Sequence, residues 1–350
     1  MTKRWKAFLI FVSQCWRLAG ITPAYADDGN AYRLSEPVTF RNLGIYFVHG
    51  ASRGGPVPLT LQEALARKVV TVSETGEVNA LRIENTGDEA IFIQSGDIVK
   101  GGQQDRVLSV SLLLRPHSGP IPIASFCVER GRWSARGRED AKTFSSADAA
   151  VPSRIAKLEM AGAAAPKPDG AAAAVGIYQQ EIWKSVAEVQ SKLTRSLGKP
   201  VAAPKSQSSL QLALENDHLA DEQAAYIAAL QGKGEEGDDI VGYVFAVNGK
   251  VNSADIYPSN GLFRKMWPKL LRASVTEAIG ERDDKAPPPP MPSVADVDGF
   301  IARAATARVV EKNIENTTVG VRENADMISV ESRPADASAA EWVHRNYISK

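Results

Sequence analysis

The chain is short of cysteine and lacks any long hydrophobic run. Two cysteines, Cys15 and Cys127, occur among 350 residues, which excludes a disulfide framework as the source of stability. A chain of this length needs none, since it can bury roughly three quarters of its unfolded surface. It has no charge surplus either, with 41 basic against 41 acidic residues. Duplex nucleic acid is bound through a basic excess that displaces counterions, so no double-stranded nucleic acid partner is expected. The four histidines, His49, His117, His218 and His344, show no ligand spacing, and HExxH, CxxC and GxSxG are missing. No metal site is expected on that pattern. Gly96 to Gly102 approaches the spacing of a phosphate loop. Gly102, however, follows Gly101 where such a loop places the lysine that reaches phosphate.

What is present begins with a processing signal. Lys3, Arg4 and Lys6 precede an apolar run over residues 7–16, broken by Ser13 and Gln14, and Ala24-Tyr25-Ala26 ends the segment. This order of parts reads as a secretory signal peptide, residues 1–26, cleaved after Ala26, and implies a periplasmic or secreted protein. Arg17 interrupts the apolar stretch and leaves a buried N-terminal helix as the alternative. The run is too short for a bilayer of about 30 Å, so no membrane span is expected in the mature chain. Removal takes four basic and no acidic residues, leaving 37 against 41 and a net charge of −4. Cys127 is then a single thiol, which is buried, paired with another chain, or reactive.

The remainder reads as an α+β domain. β-branched and aromatic residues over 38–48 predict a strand, and Thr60 and Glu63 frame a capping box opening a helix over 61–66. Strands are expected over 69–73, 80–84, 90–94 and 121–128. One more is expected from the alternation of Leu108, Val110, Leu112 and Leu114. Strands first and helices later argue α+β rather than alternating β/α. The Ala/Pro-rich stretch 161–176 is expected to be a flexible loop. Helices are expected over about 177–197, stopped by Gly198 and Pro200, and over 210–230. Asn248-Gly249 marks a two-residue hairpin turn within 241–256. A helix then begins near Gly261, with Pro268 expected to kink or restart it. Residues 27–36 read as a linker and 283–293 as a proline-rich spacer. A helix and strands over 294–350 are expected to complete the sheet of the domain at 37–282, because about 55 residues make a marginal unit alone.

Several segments carry a family resemblance: LTLQEALA at 59–66, SGDIVKGGQQDRVL at 95–108, FCVERGRW at 126–133, QEIWKSV at 180–186 and the stretch 241–271. Together they resemble the ARG and Rhodanese-Phosphatase-superfamily-associated protein domain, a bacterial family. The resemblance spans most of residues 37–280. Its name records association with other domains, so it implies an architecture more than a reaction and leaves the cofactor unknown. Asp97 stands where the family pattern has glutamate, a shorter carboxylate that puts any coordination by it in doubt. The Ala/Pro-rich stretch after Leu158 is a second departure.

Two polar constellations are candidate sites. The first is Asp97, Lys100, Gly101, Gly102, Gln103, Gln104, Asp105 and Arg106. There glycines let backbone N–H groups approach a ligand, and Gln and Arg donors suit a carboxylate, phosphate or sugar. The second is Cys127, Glu129, Arg132 and Trp133. On a strand end, Cys127 and Glu129 would share a side, but no histidine lies nearby in sequence to activate the thiol. The plainer readings are a solvated turn, and a packed thiol beside a Glu–Arg pair. Arg130, Arg132, Arg136 and Arg138 around Trp133 suit stacking on a nucleotide, though the acidic mature chain argues against nucleic acid. Three functions remain open. One is binding of a small polar ligand or partner segment. Another is hydrolysis using Asp97, Asp105 and Glu129, with Arg106 and Arg132 steadying charge, on a phosphorylated, ADP-ribose-like or glycosidic substrate. The third is a structural envelope role. Convergence of Asp97, Arg106 and Glu129 on one concave pocket would favour the first two.

Overall fold

A computed structural model of the chain describes residues 24–25, 31–137, 139–165, 171–283, 285, 287–314 and 316–350. The expected signal peptide therefore lies outside the described residues, apart from the short strand Ala24–Tyr25, which pairs with Ala31–Leu34.

The hairpin Ile240–Val247 and Lys250–Ile256 organises the molecule. Asn248 and Gly249 join its strands with φ of 50° and 75°, the two positive values a type I′ turn requires. Every residue of Ile240–Val247 is buried. Tyr243, Phe245 and Val247 enter one apolar cluster, while Val244 and Ala246 enter another. A strand alternates sides with period two, so this one has no wet face and lies inside a covered sheet.

That sheet has ten strands among the described residues. Leu43–His49 pairs with one side of the hairpin, and His344–Ser349 with the other. Met327–Pro334, Thr317–Glu323 and Val309–Ile314 continue outward, all antiparallel. The C-terminal strands complete the sheet, as expected. A second sheet runs in the order Phe144–Ala150, Asp97–Gly101, Arg106–Leu108, Ile121–Cys127, Ala80–Asn85 and Val70–Glu74. A small third sheet joins Leu112–Leu114, Ile91–Ile93 and Leu59–Thr60. The fold is α+β with mostly antiparallel sheets.

Helices cover the large sheet. Those used below are α1 (Leu61–Ala66), α2 (Arg154–Ala164), α3 (Ala171–Leu197), α4 (Leu210–Leu214), α5 (Asp217–Leu230), α6 (Asn260–Gly280) and α7 (Val294–Ala302). α6 is anchored by Trp267, fully buried, whose ring lies 5.4 Å from both Phe47 and Tyr243 in edge contacts. Val297 and Phe300 of α7 pack on the opposite face with Tyr46, Val48 and Val244. The capping box of α1 forms as expected, Thr60 and Glu63 each bonding the other's backbone N–H.

Five local expectations are corrected. Residues 38–48 form a tight hairpin, Val38–Phe40 with Leu43–His49, turning at Arg41 with φ of 51°. The alternation over 107–114 belongs to two strands in different sheets, because the chain leaves the second sheet after Leu108 and joins the third at Leu112. The alanines at 161–164 and 171–176 are helical, ending α2 and beginning α3. Alanine is the strongest helix former even where it leaves no apolar period, and Ala161 and Ala164 are buried. The helix expected over 210–230 is two, because Asn216 bonds the first turn of α5 and restarts the chain there. α6 runs through Pro268 as one helix, which removes the restart of the two alternatives.

Candidate functional site

Asp105 and Glu129 are fully buried and meet two arginines. Arg136 donates to Asp105 Oδ1 at 2.8 Å, and Arg132 donates from Nε to Glu129 Oε2 at 2.6 Å. Gly101 N–H and Ser209 Oγ supply further donors to Asp105, both at 3.1 Å. Gly101 and Gly102 serve this turn with positive φ of 119° and 54°, which glycine adopts without steric cost. Burial pushes the Asp105 carboxyl up, and Arg136 offsets only part of that. Arg136 also takes Glu139 in a two-pronged contact at 3.0 and 3.1 Å. Three carboxylates and two guanidinium groups thus interlock, with one carboxylate in excess, and pin Glu129, Arg132 and Arg136 to the 101–105 turn.

Arg106 is buried beside this network, contacting Cys127 Sγ and Glu74. Burial raises the Cys127 thiol to about 11 despite the Arg106 charge, so the sulfur is a protonated, packed group at neutral pH. Its backbone is held on both sides by the amide of Gln179 at 2.9 Å. Lys100 pairs with Glu215 at 2.6 Å, and Gln103 is exposed. Gln104 is fully buried, and neither atom of its amide finds a hydrogen-bond partner among the described residues. Trp133 is 52% exposed, and Arg130 lies 5.6 Å from the ring of Trp183.

Asp97 does not join this network. It pairs instead with Lys269 of α6 at 2.6 Å, both side chains buried, and accepts the backbone N–H of Gln94 at 3.0 Å. The structure brings together Gly101, Gly102, Asp105, Arg106, Cys127, Glu129 and Arg132, and leaves Asp97 outside, paired with Lys269. Asp97, Arg106 and Glu129 do not converge on one pocket.

A separate, narrow cleft with a cavity volume of about 30 Å³ lies beside Gln94 and Gly96. Gln94, Ser111, Lys157, Asp255, His344 and Asn346 are among the residues that line it. Asp255 sits on the central hairpin, His344 and Asn346 on the C-terminal strand, and Lys157 on α2. Ser111 lies in the irregular segment where the chain passes between sheets. Asp255 Oδ1 accepts from Asn346 Nδ2 at 2.9 Å and contacts His344 Nε2 at 3.1 Å. Ser111 Oγ lies 2.9 Å from His344 Nδ1. Gln94 reaches Asp255 at 3.4 Å and accepts the Tyr257 hydroxyl at 2.5 Å. Burial pushes the Asp255 carboxyl up, but the His344 hydrogen bond, the Lys157 charge and Asn346 outweigh it and leave it lowered. The cleft thus holds a buried carboxylate. Lys157 is partly exposed there, with Ser253 Oγ at 3.2 Å and the Phe245 ring at 5.2 Å.

Sequence reading missed Ser111, Lys157, Asp255 and His344, which are scattered over more than 230 positions. The available signal was polarity out of place: Ser111 inside an apolar alternation, and His344 between Val343 and the apolar pair Tyr347-Ile348.

One further motif is excluded by its setting. Gly232, Gly234 and Gly237 have the GxGxxG spacing of a dinucleotide loop. They follow α5 and precede a strand, the reverse of the strand-to-helix order that such a loop needs. Among the described residues no His, Cys, Asp and Glu group is arranged to hold a metal ion. No helix among them is long and apolar enough to cross a membrane.

An α+β architecture of mostly antiparallel sheets, with a buried ion network at one centre and a polar cleft at another, defines the class of the protein. The chain belongs to the family of the ARG and Rhodanese-Phosphatase-superfamily-associated Protein domain, whose sequence profile matches residues 31–348. No curated protein and no solved structure is significantly similar to it.

Proposed function

We propose that this protein binds a small anionic ligand in the cleft floored by Asp255 and His344, with Lys157 as the charge-recognising group. The observation that carries the reading is convergence. Five separate parts of the chain deliver polar side chains to one narrow cleft, and convergence of a few polar groups is a feature of small-molecule sites. The motif network between Asp105 and Arg136 has the opposite character, because its charges are already paired and buried. It is read as the frame that fixes the second sheet, and the exposed Trp133 and Arg130 as its rim.

Thermal unfolding across a panel of small carboxylates, phosphates and sugar phosphates tests the reading, with Lys157→Met beside wild type. A ligand at 100 times its dissociation constant adds about 2.7 kcal/mol to stability. The expected result is an upward shift in wild type that Lys157→Met abolishes. A shift of equal size in both proteins would contradict the assignment.

The leader at residues 1–26 supports export to the periplasm or beyond. N-terminal sequencing of the protein recovered from its native compartment checks this. The expected first residue is Asp27, and an intact Met1 terminus would contradict export.

A further inference from the structure

Within the ligand cleft, Ser111, His344 and Asp255 form one hydrogen-bonded chain, and we propose that it makes the protein a serine hydrolase for small anionic esters. The proposal rests on the binding reading above and deepens it.

With a neutral imidazole, the neighbours place the hydrogens on this chain in one order. A hydroxyl has one hydrogen and two lone pairs. Ser111 Oγ spends one lone pair on the backbone N–H of Ser95 at 2.9 Å, and with neutral His344 its hydrogen faces Nδ1 at 2.9 Å. A neutral imidazole accepting at Nδ1 carries its proton on Nε2, and Nε2 faces Asp255 Oδ1 at 3.1 Å. Asn346 and Gln94 also donate to that oxygen, fixing an ionised acceptor. The order of roles is therefore nucleophile, base and orienting carboxylate, as acyl-transfer catalysis by serine requires. The two ring nitrogens exchange the places they hold in the chymotrypsin arrangement. The chemistry requires only that one nitrogen accept and the other donate.

The imidazole is held in plane by packing. Its ring lies 5.1 Å from the Tyr257 ring in a stacked contact and 5.9 Å from Phe92 in an edge contact. Ser111 lies outside the strand ladders, between Arg106–Leu108 and Leu112–Leu114, and it lines the cleft. Lys157 lines the same cleft and supplies the cation for a carboxylate or phosphate elsewhere on the substrate. The side-chain amides of Gln94 and Asn346 line it too.

The reaction balances without a cofactor. Ser111 Oγ bonds to the carbonyl carbon of the ester while its proton passes to His344 Nδ1. The bond from that carbon to the leaving oxygen breaks, and the leaving oxygen takes the proton from His344, releasing the alcohol. Water then adds to the acyl-Ser111 carbon. One of its protons passes through His344 to Ser111 Oγ, and the carboxylic acid departs. The sum is ester plus water to acid plus alcohol.

The test is intact-mass spectrometry of the full chain after exposure to a small alkyl fluorophosphonate, with the burst of p-nitrophenol from p-nitrophenyl acetate read in parallel. One adduct per chain is expected, mapped to the peptide holding Ser111 and lost in Ser111→Ala. Asp255→Asn should slow adduct formation by on the order of 10²–10⁴-fold, with the fold checked by circular dichroism. Ser111→Cys guards against misfolding of the alanine variant, and its thiol should be acylated at the same position. An adduct elsewhere, or none, while anions still raise the wild-type unfolding temperature, overturns hydrolysis and leaves ligand binding standing. Absence of both adduct and shift overturns the two together.

Discussion

At the scale of single residues, the two charged centres obey opposite rules. Asp97 and Lys269 are a desolvated pair, their side chains 3% and 7% exposed. Removing one member leaves the other charge buried without compensation, a change that costs about 3–5 kcal/mol. Lys269→Met should therefore lower stability by that order in urea unfolding. Adding Asp97→Asn should recover much of the loss, because the orphaned charge is gone. Cys127 makes a second residue-scale prediction. With its thiol raised to about 11, about a thousandth of it is thiolate at pH 8, and the thiolate is the reactive form. Native protein should resist iodoacetamide over hours and become alkylated once in denaturant. Rapid modification of the folded chain would refute the packed-thiol description. Asp255 carries a pH signature. A folded carboxyl lowered relative to the unfolded chain contributes stability above the unfolded value of about 3.9, and that stability is lost as pH falls through the folded value. The stability difference between wild type and Asp255→Asn should thus shrink as pH drops below about 4. Asp105, whose carboxyl is raised, contributes in the opposite direction. These roles were only partly legible in the sequence. Gly101, Asp105 and Arg106 are neighbours, so their grouping could be read locally. His344 and Asp255 are 89 positions apart and are joined only by strand pairing.

At the scale of elements, what could be read depended on how local the cause is. The Asn248-Gly249 turn and the Thr60 capping box are decided within four residues, and both formed as expected. The split of 107–114 into two sheets is not local. The leucines alternate without interruption, and the bonds of Ser95 to Ser109 and Ser111 decide where the chain turns away. His344–Ser349 was missed as a strand because its polar side chains break the apolar period, although both its edges are paired. Two substitutions test this level. Gly249→Ala would place a Cβ 2.7 Å from the Pro290 carbonyl at φ 75°. It should cost at least about 1–2 kcal/mol, the ordinary penalty for a side chain in the left-handed region. Pro268 is exposed inside α6, where it removes a helical N–H and crowds the preceding turn. Pro268→Ala should raise stability by about 1–2 kcal/mol after the greater freedom of the unfolded alanine chain is allowed for. Urea midpoints for both variants check the signs, and a stabilised Gly249→Ala would contradict the turn geometry.

At the scale of the whole molecule, the C-terminal strands are both wall and chemistry. They extend the central sheet and carry His344 and Asn346 to Asp255 on the hairpin. A chain ending at residue 293 should therefore lose cooperative unfolding along with the cleft. The α+β class was legible because strand-rich and helix-rich stretches are segregated along the chain. The cleft was not legible, because it exists only where the hairpin, α2, α6 and the C-terminal strands meet. Ligand recognition on this proposal belongs to the cleft and not to the motif network around Asp105 and Glu129. The most direct measurement compares anion-induced shifts in unfolding temperature for Lys157→Met and for Trp133→Ala with Arg130→Ala, each against wild type. Lys157→Met should abolish the shift and the rim variant should keep it. Loss of the shift in the rim variant, with Lys157→Met unaffected, would place the site at the motif network and contradict the account.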